Sequence, residues 1–168
     1  TKEELNQLEQ WTGLKCKDIL FDSNVDYWFS NSVFYDKVYK KKQLVFIIED
    51  ENNNKFGGYL NEKIDKVWSG DWDKSNIYDS KAFLFSLKSN GRMKGMMKFE
   101  IKDTRFGYDL KDKSDYKLFF IGYNSISLFK QNSKENSYYQ QNNEFFDYHG
   151  IENPLVGGSG SGSGNKKF

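Results

Sequence analysis

The sequence has a single cysteine, and it shows neither a signal segment nor a long apolar run. Its one cysteine, Cys16, cannot form an internal disulfide. Every apolar run falls short of the roughly 18 residues that a helix needs to cross a bilayer, and no signal-peptide core is visible. Asparagine is plentiful, yet no Asn-x-Ser/Thr sequon occurs. We therefore expect a reducing, cytoplasmic setting. The chain begins at Thr1 without a methionine, which leaves open a targeting segment ahead of it.

Proline and net charge are also scarce. Pro154 is the only proline, and 25 Lys and Arg residues nearly cancel 24 Asp and Glu residues, for a net charge of +1. Such a chain has no long-range field to attract nucleic acid or an anionic membrane, so its partners are selected by local surfaces. Aromatic residues are abundant, with 15 Phe, 11 Tyr and 4 Trp among 168 residues. This composition predicts one β-rich domain, which we expect to be a monomer.

The strongest local pattern is a β-hairpin at residues 44–60. Residues 44–48 form a continuous apolar run, residues 50–54 a polar turn cluster, and residues 55–60 a second apolar run. Gly57 and Gly58 interrupt the return strand, although glycine weakens a strand. We predict that this pair allows close packing under a bulky ring inside the fold.

Further helices and strands are predicted around this hairpin. Thr1 and Glu4 match a capping box that starts a helix, and Gly13 is a plausible stop for it. The other predicted elements are a helix at residues 30–41, strands at residues 19–21, 82–87, 97–101, 117–121 and 125–129, and a strand beginning at residues 145–148. Short strands separated by turns indicate an antiparallel, sandwich-like α+β domain.

Several of these segments resemble, in order and rough spacing, the TLDc-domain family. The matching segments are Ile19-Leu20-Phe21-Asp22-Ser23 with the helix after it, residues 44–48, Phe56-Gly57-Gly58-Tyr59, Ala82-Phe83-Leu84-Phe85-Ser86-Leu87, and Phe120-Ile121-Gly122 leading into residues 125–128. The resemblance implies a β-sandwich of two antiparallel sheets with peripheral helices. It also implies a link to oxidative-stress protection and, in several members, binding to the vacuolar proton-pumping ATPase. It supplies no catalytic residue, metal ligand or cofactor.

The resemblance divides the chain into three parts. Residues 1–13 are expected to form a helix packed on the domain, and residues 14–156 the TLDc-like sandwich. Residues 157–168 contain a Gly/Ser run that is typical of a flexible loop. The family normally closes with a strand similar to Glu-Val-Trp, so here we expect a missing or truncated final strand.

Three groups of residues are candidates for chemical sites. His149 and Asp147 have the spacing of an acid/base pair, but a surface histidine explains them as well. Cys16, flanked by Lys15 and Lys17, is a possible redox thiol if a cation faces it in space. Residues 71–75 resemble the start of a calcium loop, but the glycine and the bidentate glutamate that complete such a loop are absent.

Two surfaces are candidates for binding. Trp68 and Trp72 lie in a polar connection and would either anchor a protein partner or cover the sandwich as a lid. Lys40, Lys41 and Lys42 follow two tyrosines, a combination that can bind phosphates and stack bases, although a solvated helix end explains it too.

The leading hypothesis is a non-catalytic protein-interaction module in oxidative-stress protection, with the vacuolar ATPase as a possible partner. The alternatives are a nucleic-acid-binding stress regulator and a thiol-dependent antioxidant enzyme.

Overall fold

Two antiparallel sheets form the structure. The computed structural model describes residues 1–156 and the backbone of residues 166–167, except for the side chains of Trp72, Asp73 and Phe106. Sheet A has the strand order β1-β2-β3-β4, and sheet B the order β5-β6-β7-β8-β9. The strands of sheet A are Leu44–Glu49, Lys55–Leu60, Phe83–Lys88 and Met97–Glu100. The strands of sheet B are Tyr108–Leu110, Lys117–Ile121, Ile126–Phe129, Tyr138–Tyr139 and Lys166–Lys167. The predicted two-sheet α+β sandwich is confirmed.

The predicted hairpin is strands β1 and β2, which pair from Leu44 opposite Leu60 to Glu49 opposite Lys55. Asp50 builds its turn, because one carboxylate oxygen accepts the backbone N–H groups of Asn52 and Asn54 at 2.9 and 2.8 Å. Rings from both sheets then meet in the core: Phe46 of β1 stacks on Tyr108 of β5, with centroids 5.1 Å apart. The hairpin therefore fixes one side of the core.

Helix α1, Lys2–Thr12, begins and ends where the sequence predicts. The capping box of Thr1 and Glu4 is formed, and Gly13 adopts a left-handed conformation with φ of 70°. Leu8 is buried against a cluster of side chains from sheet A, so this helix covers the outer face of that sheet. The burial of this helix rests mainly on that leucine.

Helix α2, Asn31–Val38, is shorter than the predicted span of residues 30–41. It ends early because Lys40 has a φ of +63° and donates its backbone N–H to the carbonyl of Ile64 at 2.7 Å. The ring of Phe34 stacks on Phe119 of β6 at 5.4 Å, which fixes the helix on sheet B. The lysines after the helix therefore lie outside it, with Lys40 in a turn.

Two predicted strands are absent, and two strands of the structure were not predicted. Residues 19–21 form no strand, because no neighbouring strand pairs with them and Phe21 packs instead on Phe34 of α2. Residues 145–148 form no strand either; Phe146 makes a single β-bridge to Ile101. Strands β5 and β8 were missed, since strands of three and two residues leave almost no sequence pattern.

The remaining helical elements are one turn each: α3, Trp72–Ser75, and a 3₁₀ turn, Thr104–Phe106. Within the described residues, no helix is long and apolar enough to span a membrane. The predicted Gly/Ser loop lies outside the described residues, apart from the backbone of Lys166–Lys167, which pairs with β8.

Candidate interaction surface

The residues of the predicted signature are buried, some between the two sheets and some on the outer face of sheet A, where Phe83 and Phe85 pack under helix α1. A Cβ atom at Gly58 would come within 2.8 Å of Ile121 Cδ1, a side chain of sheet B. At Gly57 it would overlap the carbonyl oxygen of Phe46 and come within 3.0 Å of the Phe85 ring. The expected bulky ring therefore lies over Gly57, while Gly58 faces aliphatic side chains. The other signature residues are buried as well: Phe56, Tyr59, Ala82, Phe83, Phe85, Ser86 and Gly122.

His149 and Asp147 lie together at the surface beside strand β4. His149 Nδ1 is 3.6 Å from Asp147 Oδ1, and its Nε2 is 3.2 Å from the carbonyl oxygen of Lys98. The same Asp147 oxygen accepts the backbone N–H of His149 at 2.9 Å. These contacts hold a turn against the edge of sheet A.

Cys16 is exposed, and its surroundings work against activation. Partial burial raises the pKa of its thiol, and the carboxylate of Glu9 raises it further, while Lys15 lowers it only in part. The Lys15 ammonium binds Glu9 at 2.5 Å, so its charge is already paired. A reactive thiol needs the opposite shift. A redox role for Cys16 stays a prediction.

The sequence that resembles a calcium loop forms the turn of α3. The carbonyl of Asp71 accepts the backbone N–H of Ser75 at 3.0 Å, and its carboxylate binds Lys74 at 3.2 Å. A search of the described residues found no group of three or more His, Cys, Asp or Glu side chains that could hold a metal ion.

The three lysines after α2 lie beside a pair of stacked tyrosines. Tyr35 and Tyr39 have centroids 5.0 Å apart, and Lys40 Nζ lies 5.6 Å from the centre of the Tyr39 ring. Lys41 and Lys42 are exposed. Because the two rings already stack on each other, each has at most one free face for a base.

Trp68 lies over sheet B as a lid. Its backbone N–H donates to the carbonyl of Leu110 at 2.8 Å, which extends the edge next to β5. Lys111 Nζ lies 3.7 Å from the centre of the Trp68 ring and 4.1 Å from the centre of the Phe120 ring. The second tryptophan of the predicted surface, Trp72, has its side chain outside the described residues.

Beneath this lid, Asp109 and Lys111 are two buried charged residues on one face of the β5 edge. Burial raises the pKa of Asp109 to about 6, against the opposing effect of the Lys111 charge. Burial also lowers the pKa of Lys111 to about 8, against the effects of Asp109 and Asp115. Asp109 Oδ1 is buried without a hydrogen-bond partner. Sequence reasoning missed this pair, because its burial is a tertiary property that no local pattern carries.

The most exposed apolar surface lies elsewhere, in residues 14–29, which we call the apolar segment. Five of the ten exposed large hydrophobic residues of the described chain belong to it: Leu14, Ile19, Val25, Tyr27 and Phe29. Ile19 is 81% and Val25 80% exposed. Single exposed apolar residues are common on folded proteins, but a concentration of them is typical of a binding surface.

The apolar segment is held in place although it has no regular secondary structure. The ring of Phe21 packs edge-on against Phe34 at 5.2 Å, and the carbonyl of Trp28 accepts the backbone N–H of Gln131 at 3.1 Å. Asp26 also binds Lys37 of α2 at 2.7 Å. These attachments fix the segment and leave its other apolar side chains facing solvent. Sequence reasoning missed this surface because it assigned residues 19–21 to a strand.

The sheet order and the peripheral helices define an antiparallel two-sheet sandwich with a candidate surface for protein binding. A family model of the TLDc domain matches residues 14–160, so the chain belongs to the TLDc family. This family is linked in general to oxidative-stress proteins and is generally non-enzymatic. A comparison with curated proteins found no match. The matched region includes the apolar segment, whereas helix α1 lies ahead of it.

Proposed function

We propose that this protein is a non-catalytic, cytoplasmic TLDc-type interaction module that acts in oxidative-stress protection by binding subunits of the vacuolar proton-pumping ATPase. The observation that carries the proposal is the apolar segment, an exposed apolar surface fixed on a rigid sandwich. A surface that is already ordered loses little conformational entropy on binding, so its apolar contacts contribute more of their free energy to affinity. The protein acts as a monomer that presents this segment.

Two exposed side chains of the apolar segment provide the test. The variant Ile19→Ser/Tyr27→Ser removes an aliphatic and an aromatic contact without disturbing the core, because both side chains face solvent. We expect affinity capture from solubilised vacuolar membranes to recover proton-pump subunits with the wild-type chain. The variant should recover at least about tenfold less, since a loss of about 1.4 kcal/mol is sufficient for that change.

Tyr78→Ser is the matched control, because Tyr78 is an exposed tyrosine outside the apolar segment. It should leave capture unchanged under resting and peroxide-treated conditions. The proposal fails if the wild-type chain recovers no pump subunit, or if the double variant recovers as much as the wild type.

A further inference from the structure

A second apolar surface exists on the outer face of sheet A, and α1 lies on it. We call this surface the outer groove and define it by Val45, Tyr59, Phe83, Phe85 and Leu87. Leu8 of α1 is buried against this cluster. The ring of Trp11 packs on Phe83 and Phe85, with centroids 6.3 and 6.2 Å apart. The groove therefore already accepts an amphipathic helix.

Helix α1 is a weak occupant of the outer groove. It has 11 residues, and helices of that length are marginal in water without tertiary contacts. Leu8 is its only buried residue, while Leu5 on the same helix is 44% exposed. The helix also precedes the residues that match the family model. Its docking thus rests on few contacts, and elements of this kind open most readily.

The outer groove is longer than its occupant. Beyond Trp11, where Gly13 ends the helix, an open hollow of about 440 Å³ remains. Its lining includes Leu14, Tyr59, Ala82, Phe83, Lys98 and Glu100. A helix that continued for one more turn in the direction of α1 would place an apolar side chain in this hollow.

Each end of the groove has a lysine, and the one at the start of α1, Lys55, favours a helix with a carboxylate in its first turn. At one end, Lys55 Nζ binds both carboxylate oxygens of Glu4 at 3.1 and 3.2 Å, with Glu49 next at 4.0 Å. At the other end, Lys98 lies 5.3 Å from the Phe83 ring centre and 3.0 Å from Glu100. A carboxylate in the first turn of an incoming helix would meet Lys55 and also complement the helix dipole.

We propose that the outer groove is the docking site for an acidic amphipathic helix of a partner protein, and that α1 occupies the site in cis until that helix displaces it. The fitting helix carries a carboxylate in its first turn and apolar residues four, seven and eleven positions later. The first two match the spacing of Glu4, Leu8 and Trp11, and the third fills the hollow. Apart from Leu14, which lines the hollow, this site shares no residue with the apolar segment, so it does not depend on the proposed binding of the proton pump.

A synthetic helix tests the displacement directly. The probe is a fluorescein-labelled peptide with the sequence of residues 1–12 followed by Ala-Lys-Leu-Ala, which places a leucine in the hollow. Fluorescence anisotropy measures its binding to full-length chains carrying Leu8→Ser or Leu5→Ser. We expect the Leu8→Ser chain to bind at least tenfold more tightly than the Leu5→Ser chain, because Leu8 is the buried residue of α1 whereas Leu5 is exposed.

Hydrogen exchange on the wild-type chain supplies the second readout. At saturating peptide, the amides of residues 5–12 should lose protection while those of β2 keep it. A double variant on the exposed side of α1, Asn6→Gly/Gln10→Gly, loosens the helix without touching the groove and should behave as Leu8→Ser does. Equal affinity in the Leu8→Ser and Leu5→Ser chains, peptide binding in no chain, or retained α1 protection at saturation would each overturn the proposal.

Discussion

At the scale of single residues, the two glycines of β2 differ in what an added methyl group would meet. At Gly57 the methyl would overlap the carbonyl oxygen of Phe46, a backbone atom fixed by the pairing of β1 with β2. At Gly58 it would meet Ile121 Cδ1, the end of a side chain that can change rotamer. The same substitution therefore has different consequences at neighbouring positions.

We predict that Gly57→Ala lowers the free energy of unfolding by about 3 kcal/mol or more, and Gly58→Ala by about 1 kcal/mol. Urea denaturation of the two variants measures both values. Gly91→Ala is a control for backbone strain without steric overlap, since the φ of Gly91 is +86° and no atom lies within 4 Å of its added Cβ. Equal losses at Gly57 and Gly58 would show that the Phe46 carbonyl moves freely.

At the scale of elements, Asn31 attaches α2 to sheet B. Its side-chain amide donates to the backbone carbonyls of Lys111, Asp112 and Lys117 at 3.0, 2.8 and 3.1 Å, and the residue is fully buried. Three backbone carbonyls, in the turn after β5 and at the start of β6, thus accept hydrogen bonds from one side chain. Removing it leaves buried acceptors unsatisfied, which costs more than the bonds themselves contribute.

We predict that Asn31→Ala destabilises the protein by about 3 kcal/mol. Ser30→Ala, one residue earlier, should change stability by less than about 0.5 kcal/mol, because the Ser30 side chain makes no capping bond to α2. Thermal unfolding followed by circular dichroism compares the two variants. A larger loss for Ser30→Ala than for Asn31→Ala would mean that capping, and not the attachment to sheet B, holds this helix.

Elements with strong local patterns were predictable from the sequence, and elements defined by distant partners were not. The hairpin of β1 and β2 combines two apolar runs with a turn built by Asp50, so its existence follows from local chemistry. Residues 19–21 have the apolar pattern of a strand, but no strand lies beside them. Strand β5 has only three residues, and its pairing with β6 is set by the fold. Pairing partners are a tertiary property that a local pattern does not carry.

At the scale of the whole molecule, the family was predictable because the order of several weak segments is specific. The candidate surfaces were less so. The apolar segment escaped prediction because a sequence does not show which of its apolar residues remain at the surface, and many do in any folded chain. The outer groove requires knowing that Leu8 and Trp11 meet side chains from β2 and β3, which are distant in sequence.

The buried pair Asp109 and Lys111 makes the stability of the whole molecule depend on pH. The pKa of Asp109 rises from 3.8 to about 6 on folding, so between these values the native state holds a proton that the unfolded state has released. The free energy of unfolding therefore falls as pH rises through this window, by at most about 3 kcal/mol. The pKa of Lys111 falls from 10.5 to about 8, so the free energy of unfolding also falls as pH drops through that range. Together the two groups predict a minimum in their contribution between about pH 6 and 8.

Asp109→Asn tests the acid side of this minimum. The variant cannot ionise at position 109. We measure its free energy of unfolding by urea denaturation between about pH 4 and 6.5, and expect it to lack the part of the fall with rising pH that Asp109 contributes. The difference between the wild-type and variant curves should fall across that window. Taking the difference cancels the effect of the other carboxylates, which both chains share. Asp65→Asn, which removes an exposed carboxylate elsewhere on the chain, is the matched control. If the Asp109→Asn curve is parallel to the wild type, then Asp109 titrates alike in both states and its burial does not exclude water from it.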